Sequence, residues 1–254
     1  ILKSDVLIIC VGTPSNPDGT VNLSHLQTLI TRINKIIAKH PKDYLIILRS
    51  TVPFGTTRSL LKASLEKHNF KTTLCFVPEF LREGSALSDY FNPSIKVVGC
   101  ENDFDTAILN RIFSEMSGEW EITTFEIAES LKYISNSWHA LKIVFTNEVA
   151  RILKHYDLDS KNAMDLFCRD KVLNISSNYM KPGFAYGGSC LPKEIRALNA
   201  FASDAKIKTP LLNAIPDSND TMVHSLEQII TSQKSRRVGF IGMTFKPNTD
   251  DMRD

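Results

Sequence analysis

The sequence lacks long hydrophobic runs and any marked excess of charge of one sign, and each absence excludes a class of protein. Its longest apolar runs, such as residues 6–11, are far shorter than the ~20 residues of a membrane-spanning helix. We therefore expect neither a membrane segment nor a signal peptide. The 30 basic and 28 acidic residues are interspersed and leave a net charge of +2. This balance argues against a dedicated nucleic-acid or membrane surface.

Paired cysteines and metal-ligand spacings are also missing. The five cysteines, at positions 10, 75, 100, 168 and 190, include no C-x-x-C pair and are odd in number. The six histidines follow no metal-ligand spacing. We therefore expect reduced thiols in a cytoplasmic protein without a metal site.

Alternating strand and helix patterns predict an α/β domain. Residues 5–11 form a continuous apolar run, typical of a strand buried on both faces of a parallel sheet. Further strands are predicted at 44–48, ending at 76–77, and at 95–98, with a helix from Ser24 whose apolar residues repeat at steps of three and four. Doubly wound sheets bind ligands at the carboxyl ends of their strands. The corresponding loops here are 12–14, 49–53 and 78–84.

A helix of about 30 residues, roughly 45 Å long, is predicted from Glu126 to Tyr156. Its apolar seam predicts packing against a partner helix or a second subunit. Lys132 and Asn136 lie one residue round from the seam and point the same way, since they are four residues apart. The simpler alternative is a solvated lysine and asparagine. The seam consists of Ile127, Leu131, Ile134, Trp138, Leu141 and Phe145.

Residues 179–194 place one cysteine, Cys190, directly after a glycine-rich turn. Glycine permits positive φ and close approach of a ligand, and Pro192 favours a helix start soon after the thiol. The basic residues Lys181, Lys193 and Arg196 favour a reactive thiolate. The simpler alternative is a turn that holds a buried cysteine.

This loop resembles the nucleophile loop of the nucleotide-sugar 6-dehydrogenases. That family, and its GDP-mannose 6-dehydrogenases above all, carries Pro-Gly-Phe-Ala-Phe-Gly-Gly-Ser-Cys-Leu-Pro-Lys-Asp, and residues 182–193 match all but one of the first twelve positions. UDP-glucose 6-dehydrogenases usually lack the Pro-Gly-Phe-Ala lead, and dehydrogenases of UDP-N-acetyl-mannosamine tend to have His at the position of Ser189. Residues 50–53, 78–84 and 245–253 also resemble family motifs.

The resemblance implies a partial Rossmann-like parallel sheet, a central all-helical domain with one long helix, and the start of a second Rossmann-like domain. We place these at residues 1–122, 123–232 and 233–254, with a strand at 235–243. The family opens with G-x-G-x-x-G, which is absent from this sequence. We therefore expect an interior portion of a longer enzyme.

The resemblance also implies a reaction, the four-electron oxidation of C6 of a nucleotide-linked sugar to a carboxylate with two NAD⁺. Cys190 would form a thiohemiacetal and then a thioester. Lys132 and Asn136 would stabilise the developing oxyanion. Glu79 would act as base towards water, which Thr51 positions.

Further binding roles follow from the same matches. The sugar nucleotide would contact Lys132 as well as Leu81, Arg82, Asn174, Tyr179, Lys181, Gly183, Phe184, Gly187 and Lys246. The positions that face NAD are Thr13, Thr51, Glu83, Lys193 and Arg253. The family also pairs through its central helices, so a homodimer or larger assembly is expected.

Two positions depart from the family pattern. Glu194, also assigned to the catalytic group, replaces an Asp, and Val77 replaces a residue that is commonly Asn or Ser. The extra methylene of Glu194 would displace its carboxylate by about 1 Å, an error that can cost roughly a hundredfold in rate.

GDP-mannose is the expected substrate. The alternatives are UDP-glucose, or a non-catalytic dimerisation or binding module that lacks the NAD fingerprint.

Overall fold

The structure, a computed structural model, describes residues 3–62, 65, 72–82, 84–101, 104–176, 178–180, 183–188, 190–233 and 237–239. The chain divides into two compact units. The first, residues 1–138, is called the sheet unit, and the second, residues 139–254, the cysteine-loop unit. Most of the predicted strand at 235–243 lies outside the described residues. Among the described residues, no helix is long and apolar enough to span a membrane.

The sheet unit is built on five strands in the order β1-β2-β3-β4-β5. Parallel ladders join β1 to β2, β2 to β3, and β4 to β5. These bonds confirm the predicted α/β class and the β2 boundaries. Strand β5 was not predicted, because only four residues long and with two of them exposed it lacks a continuous apolar run. The strands are Val6–Ile9 (β1), Tyr44–Leu48 (β2), Thr72–Phe76 (β3), Lys96–Gly99 (β4) and Trp120–Thr123 (β5).

One pair of strands departs from the predicted parallel order. Strands β3 and β4 meet in antiparallel orientation through the pair Phe76 and Gly99. The connection between them contains a six-residue helix, Ala86–Phe91 (α2). An antiparallel pair does not need the longer crossover that returns a chain to a parallel strand. The sheet is therefore mixed.

Helices cover both faces of the sheet, as a doubly wound fold requires. On one face, α1 (Ser24–Lys39) packs its apolar side chains against Tyr44, Ile46 and Leu48 of β2. On the other face, α3 (Ala107–Ile112) packs on the alternate residues of the same strand. All five residues of β2 are buried. The helices on both faces thus hold this strand, and they fix the position of its carboxyl end.

A glycine brings the sheet close to the long helix α4 (Phe125–His155), which matches the predicted 126–156. A Cβ atom added at Gly99 would lie 2.8 Å from Ala128 Cβ and 2.9 Å from Phe125 Cα. A real side chain does not fit at such distances, so β4 requires glycine here. The contact fixes the first turn of α4 against the sheet.

The predicted apolar seam of α4 is only partly covered. Ile152 is buried near the end of the helix. In the middle of the helix, Ile134, Trp138 and Leu141 are each at least 40% exposed. The seam has the predicted period, but the described residues leave its central part accessible to solvent.

The cysteine-loop unit is helical and has a small core. It contains the end of α4, then α5 (Ser160–Phe167), α6 (Leu191–Asp204) and α7 (Pro210–Ser232). Asp159 caps α5 by accepting a hydrogen bond from the Asn162 amide. The buried apolar residues of its core cluster are Ile152, Ala202 and Leu212.

Candidate active site

Hydrogen bonds join the loops that follow β1 and β2. Thr13 Oγ1 donates to the Thr51 carbonyl oxygen at 2.6 Å, and Ser50 Oγ donates to the Val11 carbonyl oxygen at 2.7 Å. The two strands are parallel, so their carboxyl ends meet at one edge. The bonds fix Thr13 and Thr51, both predicted to face NAD, at this edge.

The loop after β3 carries an ion pair with α4. Lys132 Nζ lies 3.4 Å from Glu79 Oε1, and the lysine side chain is only 17% exposed. The second oxygen, Oε2, accepts a hydrogen bond from the Leu81 amide at 2.8 Å. The lysine also lies over the Phe80 ring, 5.9 Å from its centroid. The structure thus brings together the carboxylate and the ammonium that the sequence predicted as catalytic groups.

A buried glutamate on α4 holds the loop after β2. Glu129 is 1% exposed, and its carboxylate accepts hydrogen bonds from the Gly55 amide at 2.5 Å and the Thr57 amide at 2.7 Å. These amides stand at the start of a π-helical segment, Thr57–Lys62, where backbone donors have no partner within the helix. Glu129 lies three residues before Lys132. One turn of α4 therefore contacts the loops after both β2 and β3.

Arg82 forms a two-point contact with Asp89 of α2. Its Nη2 lies 2.7 Å from Oδ1, and its Nε donates to Oδ2 at 3.0 Å. These hydrogen bonds hold the pKa of the Asp89 carboxyl well below its usual range. Arg82 itself is 72% exposed. Most of its side chain thus remains accessible to a ligand.

A small pocket of about 30 Å³, partly open to solvent, lies beside the loop after β3. Arg49, Glu79 and Asp89 supply its charged lining. Leu81 and Tyr90 add apolar and aromatic surface. The pocket lies between the segments that follow β2 and β3 and the segment that precedes β4.

In the cysteine-loop unit, Cys190 stands at the N-cap of α6 and is exposed. Its carbonyl oxygen accepts the first helical hydrogen bond, from the Glu194 amide at 2.9 Å. The partial positive charge of a helix N-terminus stabilises an anion placed there. Cys75 differs: burial raises the pKa of its thiol far above the ordinary value. Cys190 is thus an accessible thiol at a helix N-terminus.

The loop before Cys190 presents aromatic surface to solvent. Tyr179 is 82% exposed at φ +62°, and Phe184 is 61% exposed. Gly188 is buried with φ +84°, a conformation that favours glycine. Gly183 has open space around its Cα, and Gly187 is half-buried. Such exposed rings provide flat surfaces for a nucleotide base or a sugar.

Two charged residues after the cysteine pair with each other. Lys193 Nζ lies 2.9 Å from Glu194 Oε1, and this contact raises the pKa of the lysine. Asn174 donates from Nδ2 to the Phe167 carbonyl oxygen at 3.2 Å. Asn136 lies on the exposed surface of α4. Of these predicted residues, Asn136 lies in the sheet unit, and Asn174, Lys193 and Glu194 lie in the cysteine-loop unit.

Four predicted site residues, Glu83, Lys181, Lys246 and Arg253, lie outside the described residues. Within the described part of the chain, no group of three or more potential metal ligands is present. Val77 is buried in the second core cluster, so this departure from the family pattern serves packing.

Sequence reasoning missed three residues that organise these loops: Ser50, Glu129 and Asn219. Asn219 binds the backbone of the cysteine loop, as described below. Of the three, only Glu129 could have been recognised in the sequence. It is a carboxylate on the helix face that also carries Phe125, Ala128 and Lys132, of which Phe125 and Ala128 are buried. The partners of all three are more than 30 positions away.

The sheet and the strand-end threonines define an α/β dinucleotide-binding unit, and the comparisons specify its class. Residues 1–117 match the NAD binding domain of the UDP-glucose/GDP-mannose dehydrogenase family, and residues 126–221 match the central domain of the same family. The chain therefore belongs to the UDP-glucose/GDP-mannose dehydrogenase family. NAD is the cofactor of that domain, and the bonded loops after the parallel strands β1 and β2 fit it.

Individual relatives narrow the comparison. The chain is 39% identical to GDP-mannose 6-dehydrogenase from Pseudomonas aeruginosa, covering 100% of this chain and 59% of the relative. It is 34% identical to UDP-glucose 6-dehydrogenase from Rickettsia prowazekii, covering 98% and 58%. The crystal structure of a ternary complex of the Pseudomonas aeruginosa GDP-mannose dehydrogenase superimposes with a TM-score of 0.94 at 38% identity, over 100% of this chain and 59% of that one. The chain thus spans less than two thirds of these relatives.

Proposed function

We propose that the protein is a GDP-mannose 6-dehydrogenase, an NAD-dependent oxidoreductase that converts GDP-mannose to GDP-mannuronate. The reaction oxidises the C6 alcohol to a carboxylate, consumes one water, reduces two NAD⁺ to NADH and releases three protons. NAD supplies the hydride acceptor for both oxidations. The observation that carries the proposal is the exposed Cys190 at the N-terminus of α6, in a sequence match that includes the whole cysteine loop.

Cys190 is the proposed nucleophile, because the enzyme must retain the intermediate aldehyde between two oxidations. Its thiolate adds to the aldehyde carbon, and the carbonyl oxygen becomes the oxyanion of a thiohemiacetal. Loss of hydride from that carbon leaves a thioester, which water then cleaves to the carboxylate and the free thiol. The thiol is exposed at the N-terminus of α6, so the substrate can reach it.

Residues of the sheet unit are assigned the charge-stabilising and water-activating roles. Lys132 and Asn136 supply a cation and an amide donor for the oxyanion. Glu79 accepts a proton from the attacking water, and its ion pair with Lys132 holds the carboxylate in place. Thr51 orients that water, and Thr13 binds the Thr51 carbonyl oxygen.

The remaining residues are assigned to binding. Exposed Tyr179 and Phe184 offer flat surfaces, and Arg82 offers positive charge, to the nucleotide. The carboxylate of Glu194 is expected to act near the thiol, and its pairing with Lys193 shortens its reach. The sugar-nucleotide contacts include Leu81, Asn174, Lys181, Gly183, Gly187 and Lys246, and the NAD contacts include Glu83, Lys193 and Arg253.

We further propose a cytoplasmic homodimer or larger assembly. The exposed apolar residues Ile134, Trp138 and Leu141 of α4 offer an apolar surface to a second copy. Burial of such side chains contributes roughly 1.5–3 kcal/mol each. The domain boundaries proposed from the sequence, after residues 122 and 232, assign α4 to the central domain. Light scattering is expected to give at least twice the monomer mass, and a clean monomer at micromolar concentration contradicts the proposal.

The decisive experiment measures NADH and product with the whole protein. We expect two NADH per GDP-mannuronate formed. Cys190→Ser is expected to abolish carboxylate formation, because no thioester forms. Cys168→Ser is the matched control, an exposed cysteine of the same unit, and is expected to keep wild-type turnover.

Three outcomes contradict the proposal. Activity that depends on Cys168 and survives Cys190→Ser excludes Cys190 as the nucleophile. A larger kcat/KM for UDP-glucose than for GDP-mannose contradicts the proposed substrate, while membership of the wider family still holds. Calorimetric titration that detects no binding of NAD⁺ favours a non-catalytic module.

A further inference from the structure

The loop before Cys190 is held by an asparagine that the proposed reaction does not use. The Tyr186 amide donates to Asn219 Oδ1 at 2.8 Å, and Asn219 Nδ2 donates to the Tyr186 carbonyl oxygen at 3.1 Å. One side chain thus binds both polar backbone groups of one residue. Two bonds in opposite directions fix the position and the orientation of the Tyr186 backbone, as pairing in a sheet does.

Asn219 belongs to helix α7, which packs against the helix that starts at Cys190. Buried Ala202 of α6 and Leu212 of α7 belong to one apolar cluster. A second side-chain bond between α6 and α7 forms where a proline interrupts the hydrogen bonds of α7. Pro216 has no N–H to bind the carbonyl of residue 212. Asn199 of α6 donates from Nδ2 to that Leu212 carbonyl oxygen at 3.2 Å.

These contacts attach the cysteine segment to α7 on both sides of the thiol. Upstream, Tyr186 is bound by Asn219, four residues before Cys190. Downstream, α6 packs against α7 and begins at the residue after the thiol. The segment between the two attachments includes Gly188, which has no side chain and a positive φ. The two Asn219 bonds therefore help to determine where this loop approaches the thiol.

We propose that Asn219 is a positioning residue for Cys190. By binding Tyr186 it fixes the glycine turn, and through the turn it sets the direction in which the thiol faces the substrate. The proposal rests on the proposed function, in which Cys190 is the nucleophile. A displacement of about 1 Å at a reacting atom can reduce a rate roughly a hundredfold. Loss of Asn219 is accordingly expected to reduce kcat far more than it alters NAD binding.

The test compares three variants of the whole protein. Asn219→Ala removes both bonds to Tyr186 and is expected to lower kcat about 10- to 100-fold while the KM for NAD⁺ stays within about twofold. Asn219→Asp keeps the acceptor for the Tyr186 amide and loses the donor, so its kcat is expected to fall between those of wild type and Asn219→Ala. Asn199→Ala is the matched control, because it removes an asparagine bond between α6 and α7 that does not involve the cysteine loop.

Hydrogen exchange supplies a readout that does not depend on turnover. In Asn219→Ala, amides of residues 183–188 are expected to exchange at least tenfold faster than in wild type, while those in the centre of α7 are unchanged. Asn199→Ala is expected to leave exchange in the cysteine loop unchanged. Asn219→Asp is expected to retain protection of the Tyr186 amide.

The outcomes separate this proposal from the proposed function. Wild-type kcat in Asn219→Ala, or unchanged exchange in its cysteine loop, overturns the positioning role. An equal loss of kcat in Asn199→Ala overturns it as well, because the effect then reflects packing of α6 on α7. If wild type oxidises neither sugar nucleotide, or if Cys190→Ser remains active, the proposed function fails, and the positioning role for catalysis fails with it. In that case, faster exchange in Asn219→Ala still shows that Asn219 anchors the loop, without a role in catalysis.

Discussion

Both units contain a buried glutamate that binds backbone amides, although their apolar cores differ greatly. Helix α4 supplies each unit with one buried glutamate that binds two backbone amides. Glu129 binds the start of the π-helical segment in the sheet unit, and Glu148 binds Leu211 and Leu212 at the start of α7 in the cysteine-loop unit, both at 2.9 Å. Each carboxylate satisfies helix-terminal donors that would otherwise be buried without acceptors.

The cores around these glutamates differ in depth. In the sheet unit, every residue of β2 is buried, and apolar clusters cover both faces of the sheet. In the cysteine-loop unit, the buried apolar cluster consists of Ile152, Ala202 and Leu212, joined by partly buried neighbours. The comparison indicates that deep burial and side-chain bonds to the backbone together fix the strand-end loops. The cysteine loop relies mainly on side-chain bonds to its backbone, because the core beneath it is small.

The largest expected effect tests this difference in depth. Leu48→Ala and Leu212→Ala remove the same atoms from residues that are both 0% exposed. Such changes cost about 2–5 kcal/mol, and the cost depends on how far the site collapses. We expect Leu48→Ala near the upper end of this range, because its neighbours in the sheet are buried. We expect Leu212→Ala near the lower end, because its partly exposed neighbours can move into the space.

Urea unfolding followed by hydrogen exchange measures both variants and assigns each loss to its unit. Leu87→Ala, at a residue that is 77% exposed, is the control and is expected to change the free energy of unfolding little. Equal costs for Leu48→Ala and Leu212→Ala would break the comparison, because the two cores would then be equally rigid.

The next effect concerns the buried glutamates. Glu129→Gln and Glu148→Gln replace a charged acceptor by a neutral amide of nearly the same shape. One amide oxygen remains to accept, and the other position becomes a donor that faces a backbone N–H. We expect each change to lower the free energy of unfolding by about 1–3 kcal/mol. Glu129→Gln is expected to cost more, since its contacts of 2.5 and 2.7 Å are shorter than the two of 2.9 Å at Glu148.

Denaturant unfolding of each glutamine variant measures this ranking, with Glu121→Gln on the exposed surface of β5 as the control. A larger cost at Glu148 shows that the thin core of the cysteine-loop unit depends more on its glutamate than the contact distances indicate. No cost at either position contradicts the role assigned to both carboxylates.

Local patterns were sufficient to predict most elements. The strand at 44–48 and the long helix near 126–156 follow from apolar runs and from 3–4 spacing, both of which are local properties. Strand β5 was missed because it has only four residues, Trp120–Thr123, two of which are exposed, and so lacks a continuous apolar run. The antiparallel contact of Phe76 with Gly99 depends on two distant segments, and no local pattern encodes it.

The candidate site divides in the same way. Glu79 and Lys132 were predicted from motifs, and the ion pair between them was not, since 53 positions separate them. Glu129 and Asn219 act through backbone atoms of remote loops. Such bonds depend on the folded backbone and hardly on the residue types of the loop that is bound. Sequence motifs therefore identify groups that contact a ligand more readily than groups that hold loops.

The smallest expected effect compares one surface ion pair from each unit. Asp89 accepts from the Arg82 side chain and amide, whereas Asp165 pairs with Lys161 across one turn of α5. Hydrogen bonds from Arg82 lower the pKa of Asp89. A carboxyl whose pKa is lower in the folded state stabilises the fold above its unfolded pKa, near 4, and loses that contribution as pH falls through the folded value. We expect Asp89→Asn to lower the free energy of unfolding slightly at pH 7. The same variant is expected to lose less of that free energy than wild type when the pH falls from 4 to 2. Asp165→Asn is expected to change neither the free energy of unfolding at pH 7 nor its decrease at low pH. Carboxyl carbon NMR titration with urea unfolding at both pH limits measures this; an ordinary midpoint for Asp89 means that its contact with Arg82 does not persist in solution.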